Sequence, residues 1–109
     1  MNHTIDISRD FSDVPGGRFH SDGAYNGEDF RERLLVPALK KGAVTVILDN
    51  TEGFGSSFLE EAFGGLIRHH NFADLEARLN LVSETARAQR YKRLAERFIA
   101  EAISKKQKS

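Results

Sequence analysis

The residues best suited to chemistry lie in Asp49-Asn50-Thr51-Glu52-Gly53-Phe54-Gly55-Ser56-Ser57-Phe58-Leu59-Glu60-Glu61, where three hydroxyls, four carboxylates and two glycines share one short stretch. Glycine and serine entering a helix suggest three loop chemistries, and each fails on its spacing. A phosphate loop needs Lys and then Ser or Thr after its second glycine; Ser56 follows Gly55, and no lysine lies nearby. A dinucleotide turn needs a third glycine where Phe58 stands. A nucleophile elbow needs glycines on both sides of its serine at two-residue spacing, and Phe58 again occupies the second place.

A helix amino terminus can still attract an anion through its free N–H groups and dipole. Asp49, Glu52, Glu60 and Glu61 oppose a resident phosphate there. Their oxygens are of the type that binds magnesium or calcium, but such carboxylates hold only water unless several converge. No metal and no cofactor is assigned. Asp49 and Glu52 as an acid and base pair would make a small enzyme; without a nucleophile and base constellation, the expectation is that the chain is not an enzyme.

Ser57-Phe58-Leu59-Glu60 reads as a capping box, in which the Ser57 hydroxyl takes the N–H of Glu60 and the Glu60 carboxylate returns to the N–H of Ser57. Ser56 is then left without a structural task. The four histidines do not suggest a metal site: His3 and His20 are remote from His69-His70, and adjacent histidines point to different faces of a helix. A histidine near a helix end complements the dipole. Arg18, Asp22, Glu28 and Arg31, in the glycine-rich amino-terminal region, are candidates to line a site against the loop that carries Ser56, since long structured loops tend to be functional.

The elements that must position these groups follow from hydrophobic periodicity. His3 to Ser8 alternates as a short outer strand, with Ile5 and Ile7 on one side. Turn formers crowd residues 9 to 27, and Arg18-Phe19-His20 between them suggests a brief second strand in a hairpin with the first. A helix begins near Gly27 or Glu28, buries Phe30, Leu34, Leu35, Ala38 and Leu39, and must kink or restart at Pro37. Lys40-Lys41-Gly42 ends it. Ala43 to Leu48, rich in β-branched residues, predicts a central strand covered on both faces.

Phe58, Leu59, Ala62, Phe63, Leu66 and Ile67 trace a second amphipathic helix, whose Gly64-Gly65 suggests close approach to the sheet. Ala77 to Ser83 alternates as a last strand. From about Glu84 to Ser104 a final helix carries Tyr91, Leu94, Ala95, Phe98, Ile99, Ala102 and Ile103 as one stripe, with arginines elsewhere, and residues 105 to 109 fray. The fold class is α/β: a small mixed sheet with helices packed on it and a basic amphipathic helix at the carboxyl end.

One domain is expected over residues 1 to 109, with its core at about 5 to 83. Hydrophobic residues make up 39% and charged residues 29% of the sequence, which excludes a disordered or collagenous chain. There is no cysteine, so disulfides and thiolate metal sites are excluded. No apolar run approaches the roughly 18 residues of a membrane span, and the amino terminus lacks a signal peptide's character, so a cytoplasmic protein with no membrane contact is expected. The zero net charge hides an asymmetry: residues 1–83 carry 8 Lys and Arg against 13 Asp and Glu, and residues 84–109 carry 8 against 3. A basic last helix either solvates a face or meets nucleic acid or an acidic surface.

Strand, Leu-Asp, loop, Ser-Ser and apolar helix together resemble the STAS domain of anti-sigma-factor antagonists. More specifically, Phe11, Pro15-Gly16-Gly17-Arg18, Ser21-Asp22-Gly23, Gly27-Glu28-Asp29-Phe30-Arg31, Leu34-Leu35, Pro37-Ala38-Leu39 and Thr51 through Leu66 resemble the bacterial STAS-like family of unknown function, over roughly residues 5 to 83. The resemblance to the antagonists implies a regulatory protein-interaction domain, in which a serine at the position of Ser56 is phosphorylated by a partner kinase with a Bergerat-type ATP-binding fold. The sequence departs from the antagonists at Gly55, where an acidic residue is usual, and at Phe58, where a glycine is usual.

The expected partner surface comprises Asp49, Glu52, Gly53, Phe54, Gly55, Ser57, Arg18 and Arg31, around Ser56 as candidate phosphoacceptor. Roughly two negative charges added among Asp49, Glu52 and Glu60 would repel and open the loop. The alternative is a nucleic-acid-associated protein using the basic last helix, and a homo-oligomer is compatible with either reading.

Overall fold

The computed structural model describes residues 2–72 and 74–108. Strand β1 (His3–Asp6) leads into a single helical turn, α1 (Ile7–Asp10). Helix α2 occupies residues 27–41, β2 is Val44–Ile47, and helix α3 occupies residues 56–69. A second short turn, α4 (Leu75–Arg78), precedes β3 (Leu79–Val82), and α5 (Ala86–Lys108) closes the chain. The sheet has the order β1-β2-β3 and is parallel throughout, with His3 opposite Val44 and Val44 opposite Leu79.

This corrects the expectation of a mixed sheet. Residues 18–20 do not pair with β1; His20–Asp22 forms a 3-10 turn, with Asp22 accepting from the N–H groups of Arg18 and Phe19. With no hairpin strand, each successive strand is reached through a helix, and such crossovers give parallel neighbours.

Ile5, Val46 and Leu81 line up across the three strands and are buried, as is Val44. The opposite face, with Thr4, Thr45, Ile47, Asn80 and Val82, is half-buried or exposed. The central strand is therefore covered on one face, not two. Thr45 in the middle of the apolar run is the residue that suits the wetter side.

Helix α2 runs through Pro37 without breaking. Residues Arg31–Leu35 form a wide π-type turn in which the Val36 N–H reaches back to the Arg31 carbonyl. The widened turn makes room for a ring that would strike a carbonyl one turn earlier. Asn26 caps the helix: its side chain accepts from the Asp29 N–H at 2.8 Å and donates to the Gly23 carbonyl at 2.8 Å. Helix α3 carries a matching wide turn at Glu60–Gly64.

Ala88, Ala95 and Ala102 recur at seven-residue spacing on the buried side of α5, and α5 lies against α3 along this stripe. Small side chains allow the two helices to approach closely. Residues 105–108 continue the helix instead of fraying, and the Lys106 ammonium donates to the Ile67 carbonyl at 2.7 Å. Phe30, Phe58 and Phe63 are fully buried at the centre, stacked at ring separations of 5.8 and 6.2 Å.

Candidate functional site

The loop between β2 and α3 begins at Asp49, which is buried. Its carboxylate accepts from the N–H groups of Glu84 and Thr85 and from the Thr85 hydroxyl, all at 3.0–3.1 Å. Thr85 in turn accepts the Ala88 N–H at 3.0 Å and so caps α5. Burial favours the neutral acid, but the hydrogen bonds from Thr85 and Glu84 outweigh it and hold the Asp49 carboxyl below its ordinary value of 3.8. Asp49 thus ties the central strand to the start of the last helix.

The rest of the loop is held from two sides. The Glu52 N–H donates to the Asp13 carbonyl at 2.6 Å, and the Arg87 guanidinium donates to the Glu52 carbonyl. Gly53, at φ +139°, lies under Tyr91: a Cβ there would sit 2.9 Å from the phenol oxygen. Phe54 is buried, with its ring 5.2 Å from that of Tyr91 and 5.7 Å from that of Phe58.

The helix start differs from the capping-box expectation. Gly55 is the N-cap, in extended conformation, and the helix begins at Ser56. Glu60 does not return to the Ser57 N–H. Its carboxylate binds Arg18 at 2.5 Å and Arg68 at 2.6 and 3.0 Å. Two guanidinium groups offer charge-assisted bonds about twice as strong as a neutral N–H. The Arg68 and Arg18 bonds outweigh burial and bring the Glu60 carboxyl from 4.5 down to about 2. Ser56 and Ser57 are both exposed and neither serves as the cap.

Beneath Glu60 lies a buried ion pair, Arg31 with Glu61 at 2.6 Å. Arg31 also donates to the Glu61 carbonyl at 2.7 Å and to Glu32 at 2.7 Å. Arg18 approaches Glu61 at 3.2 Å and Arg68 at 3.5 Å. Both wide turns contribute to this pair, Arg31 from α2 and Glu61 from α3. Gly65 is required here, because a Cβ would overlap the Arg31 guanidinium. The Gly64-Gly65 pair therefore makes room for charged side chains, with Gly64 facing Glu60 and Arg68, and not for the sheet.

Three residues expected on a partner surface lie inside. Arg31 is 4% exposed, Asp49 7% and Phe54 8%. Arg31 faces the buried Glu61, Asp49 the residues that lead into α5, and Phe54 the aromatic core. Glu52, Gly55, Ser56 and Ser57 are exposed, while Arg18 and Gly53 are half-buried. The acidic crowd around Ser56 is also dispersed. Asp49 is engaged by the start of α5 and Glu60 is paired with two arginines, which weakens the expected repulsion between a phosphate and its surroundings.

Periodicity missed the apolar part of this surface. Val14, Phe19 and Tyr25, at 54%, 45% and 46% exposure, are the large hydrophobic side chains left exposed among the described residues. All three lie in the segment pinned beside the Ser56 loop by Asp13 with Glu52 and by Arg18 with Glu60. Large apolar residues between turn formers, outside any helical or strand period, were the available signal.

On α5, Arg90, Arg93, Leu94 and Arg97 line a shallow depression, and Arg97 lies 3.6 Å from Glu101. His70 is engaged with Glu32 at 2.8 Å. No group of three or more His, Asp or Glu side chains is placed to hold a metal ion among the described residues. Nor is any helix among them long and apolar enough to cross a membrane.

The carboxylates set an acid limit. Asp49 and Glu60 bind protons less readily folded than unfolded, so their contribution is complete above about pH 4.5 and is lost as pH falls toward about 2. Urea denaturation from pH 7 to pH 3 is expected to show falling stability. Asp49→Ala should lower stability at pH 7 by about 2 kcal/mol, because three donors lose their acceptor, and should flatten the acid limb. An unchanged slope would rule out this assignment.

A small parallel sheet with helices on one face and an exposed serine turn after the central strand make up an α/β domain of the STAS-like type. The profile described as a STAS-like domain of unknown function matches residues 26–87, more than half of the chain, and the chain belongs to that family. The amino-terminal blocks from Phe11 to Gly23 precede the matched region. No curated protein and no solved structure matches the chain.

Proposed function

We propose that this chain is a non-enzymatic regulatory domain that docks a protein partner over the Ser56 turn and the adjoining amino-terminal segment, with the Ser56 hydroxyl as the switch. The observation that carries this reading is the placement of an exposed serine, free of capping duty, beside the exposed Val14, Phe19 and Tyr25. Exposed aromatic and aliphatic side chains next to a rigid polar turn suit a partner interface with an apolar centre and a polar rim. The partner we favour is an ATP-binding, kinase-like protein of the Bergerat type, on the strength of the STAS resemblance.

Phosphorylation would place roughly two negative charges at the first turn of α3, where the helix dipole accommodates them. The loop would stay closed, and the effect would fall on the partner, whose contact surface would turn from neutral to anionic. Incubation with ATP and the kinase-like product of a neighbouring gene, followed by mass spectrometry, should find the phosphate on Ser56 and lose it in Ser56→Ala. Ser56→Glu should weaken the complex by about tenfold or more, whereas Phe19→Ala should weaken it without affecting the fold. No complex and no modification would sink the proposal. Modification of Ser57 alone would move the switch by one residue. Nucleic-acid binding that falls steeply with salt would favour the alternative, carried by Arg90, Arg93 and Arg97 on α5.

A further inference from the structure

Strand β3 is an open edge of the sheet, and its free groups form a short self-complementary set. The Leu48 N–H donates to the Val82 carbonyl at 3.0 Å, so Val82 and, by alternation, Asn80 direct their main-chain groups toward β2. Leu79, Leu81 and Ser83 then direct theirs outward. The Leu79 N–H is taken by the Leu75 carbonyl. Among the described residues, what remains is the Leu79 carbonyl and both main-chain groups of Leu81 and Ser83.

An antiparallel copy of the same strand, related by a two-fold axis through Leu81, satisfies all of these except the Ser83 carbonyl, which would face the Leu79 N–H already given to Leu75. Leu81 exchanges two hydrogen bonds with its own copy, and each Leu79 carbonyl accepts from the opposite Ser83 N–H. Proteins normally blunt such an edge with lysine, proline or a bulge. Leu79-Asn80-Leu81-Val82 contains no charged residue and no proline.

Beside the edge runs a groove of about 350 Å³ between β3 and α5, with Leu75, Leu79, Ile99 and Ile103 among its apolar walls. Glu76 on α4 supplies one charge to this groove, and the charged residues that α5 contributes are Lys92 and Glu96. They stand one turn apart with opposite signs, and no ion pair joins them among the described residues. A two-fold axis normal to the sheet sets the α5 helices of two copies antiparallel, and where it also passes between these positions Lys92 of one copy meets Glu96 of the other, twice. That charge complementarity selects a second copy of this chain over an unrelated extended peptide.

We infer that the domain forms a two-fold dimer by joining β3 edge to β3 edge, with the α5 grooves closing on each other. Sedimentation equilibrium of the full chain from about 5 to 500 µM should show conversion to twice the chain mass. Glu96 is exposed, Lys92 is half-buried, and neither belongs to the buried core, so their variants keep the fold, which circular dichroism verifies. Lys92→Glu and Glu96→Lys should each weaken the dimer by about tenfold or more, since each turns two attractions into two repulsions. The double variant K92E/E96K should restore it. The Leu81 amide should exchange more slowly as protein concentration rises. A chain that stays monomeric throughout, single variants that leave the dimer unchanged, a double variant that does not recover, or a Leu81 amide indifferent to concentration would each overturn the inference.

Discussion

Gly27→Ala is expected to destabilise the domain by about 3 kcal/mol, which for a chain of this size lowers Tm by about 15 °C. The direction opposes the usual rule. Near a helix start, replacing glycine by alanine commonly stabilises by about 0.4–1 kcal/mol, because the unfolded chain loses freedom. Here a Cβ on Gly27 would lie 2.5 Å from the Phe58 carbonyl oxygen, 3.1 Å from the Ala62 nitrogen and 3.1 Å from the Glu61 Cβ.

Two of these neighbours are backbone of α3 and cannot rotate away. The helices must separate, and separation opens the contact between Phe30 and Phe58 and the Arg31 with Glu61 pair one turn further along. Gly16→Ala is the matched control, since a Cβ there meets nothing within 4 Å; it should change stability by no more than about 0.5 kcal/mol. Thermal unfolding followed by circular dichroism compares the two. Equal Tm values would show that the close crossing of α2 and α3 is not a constraint.

Arg31→Met is expected to cost about 3–5 kcal/mol, because it leaves the buried Glu61 carboxylate with only Arg18 at 3.2 Å and Arg68 at 3.5 Å. The double variant Arg31→Met with Glu61→Leu should recover most of that loss. An isolated buried charge carries the full desolvation cost, whereas two apolar side chains of similar volume carry none. Urea denaturation of the wild type, both single variants and the double variant forms a complete cycle. A coupling energy below about 1 kcal/mol would show that the pair is not acting as a unit. Glu60 should remain bridged by Arg18 and Arg68 in the double variant, so the Ser56 turn should keep its partner affinity. Stability and docking would thereby separate.

The elements that periodicity marked most strongly are the ones found in place: the apolar strand at residues 44–47, the Phe58 to Ile67 stripe and the long last helix. Each writes its burial into local spacing, period two for a strand and about 3.6 for a helix. Pairing was less legible. Arg18-Phe19-His20 has the composition of a strand, but Asp22 holds the N–H groups of Arg18 and Phe19, and a hairpin ladder cannot form. The sheet is parallel for that reason.

The Ser56 turn illustrates the same division. Its glycines, its exposed serines and its place after the central strand were all readable along the chain. The capping box does not form, because Glu60 is held by Arg68, two turns on along α3, and by Arg18, 42 residues away in sequence, and the second of these meetings has no local pattern. Likewise, Arg31 reads as one more surface cation on a helix until Glu61 is brought against it across 30 residues.

By itself, the sequence determined the α/β class, the family, the exclusion of three loop chemistries and the location of the turn, since all of these depend on residue type and near-neighbour spacing. Only the tertiary structure decided which charges are buried, that Asp49 holds the residues that lead into the last helix, and that Val14, Phe19 and Tyr25 stand exposed in the segment pinned beside the Ser56 loop. Burial and ion pairing depend on which segments meet in space. Those meetings are set by packing α2 and α3 closely enough that Gly27 and Gly65 have no room for a side chain.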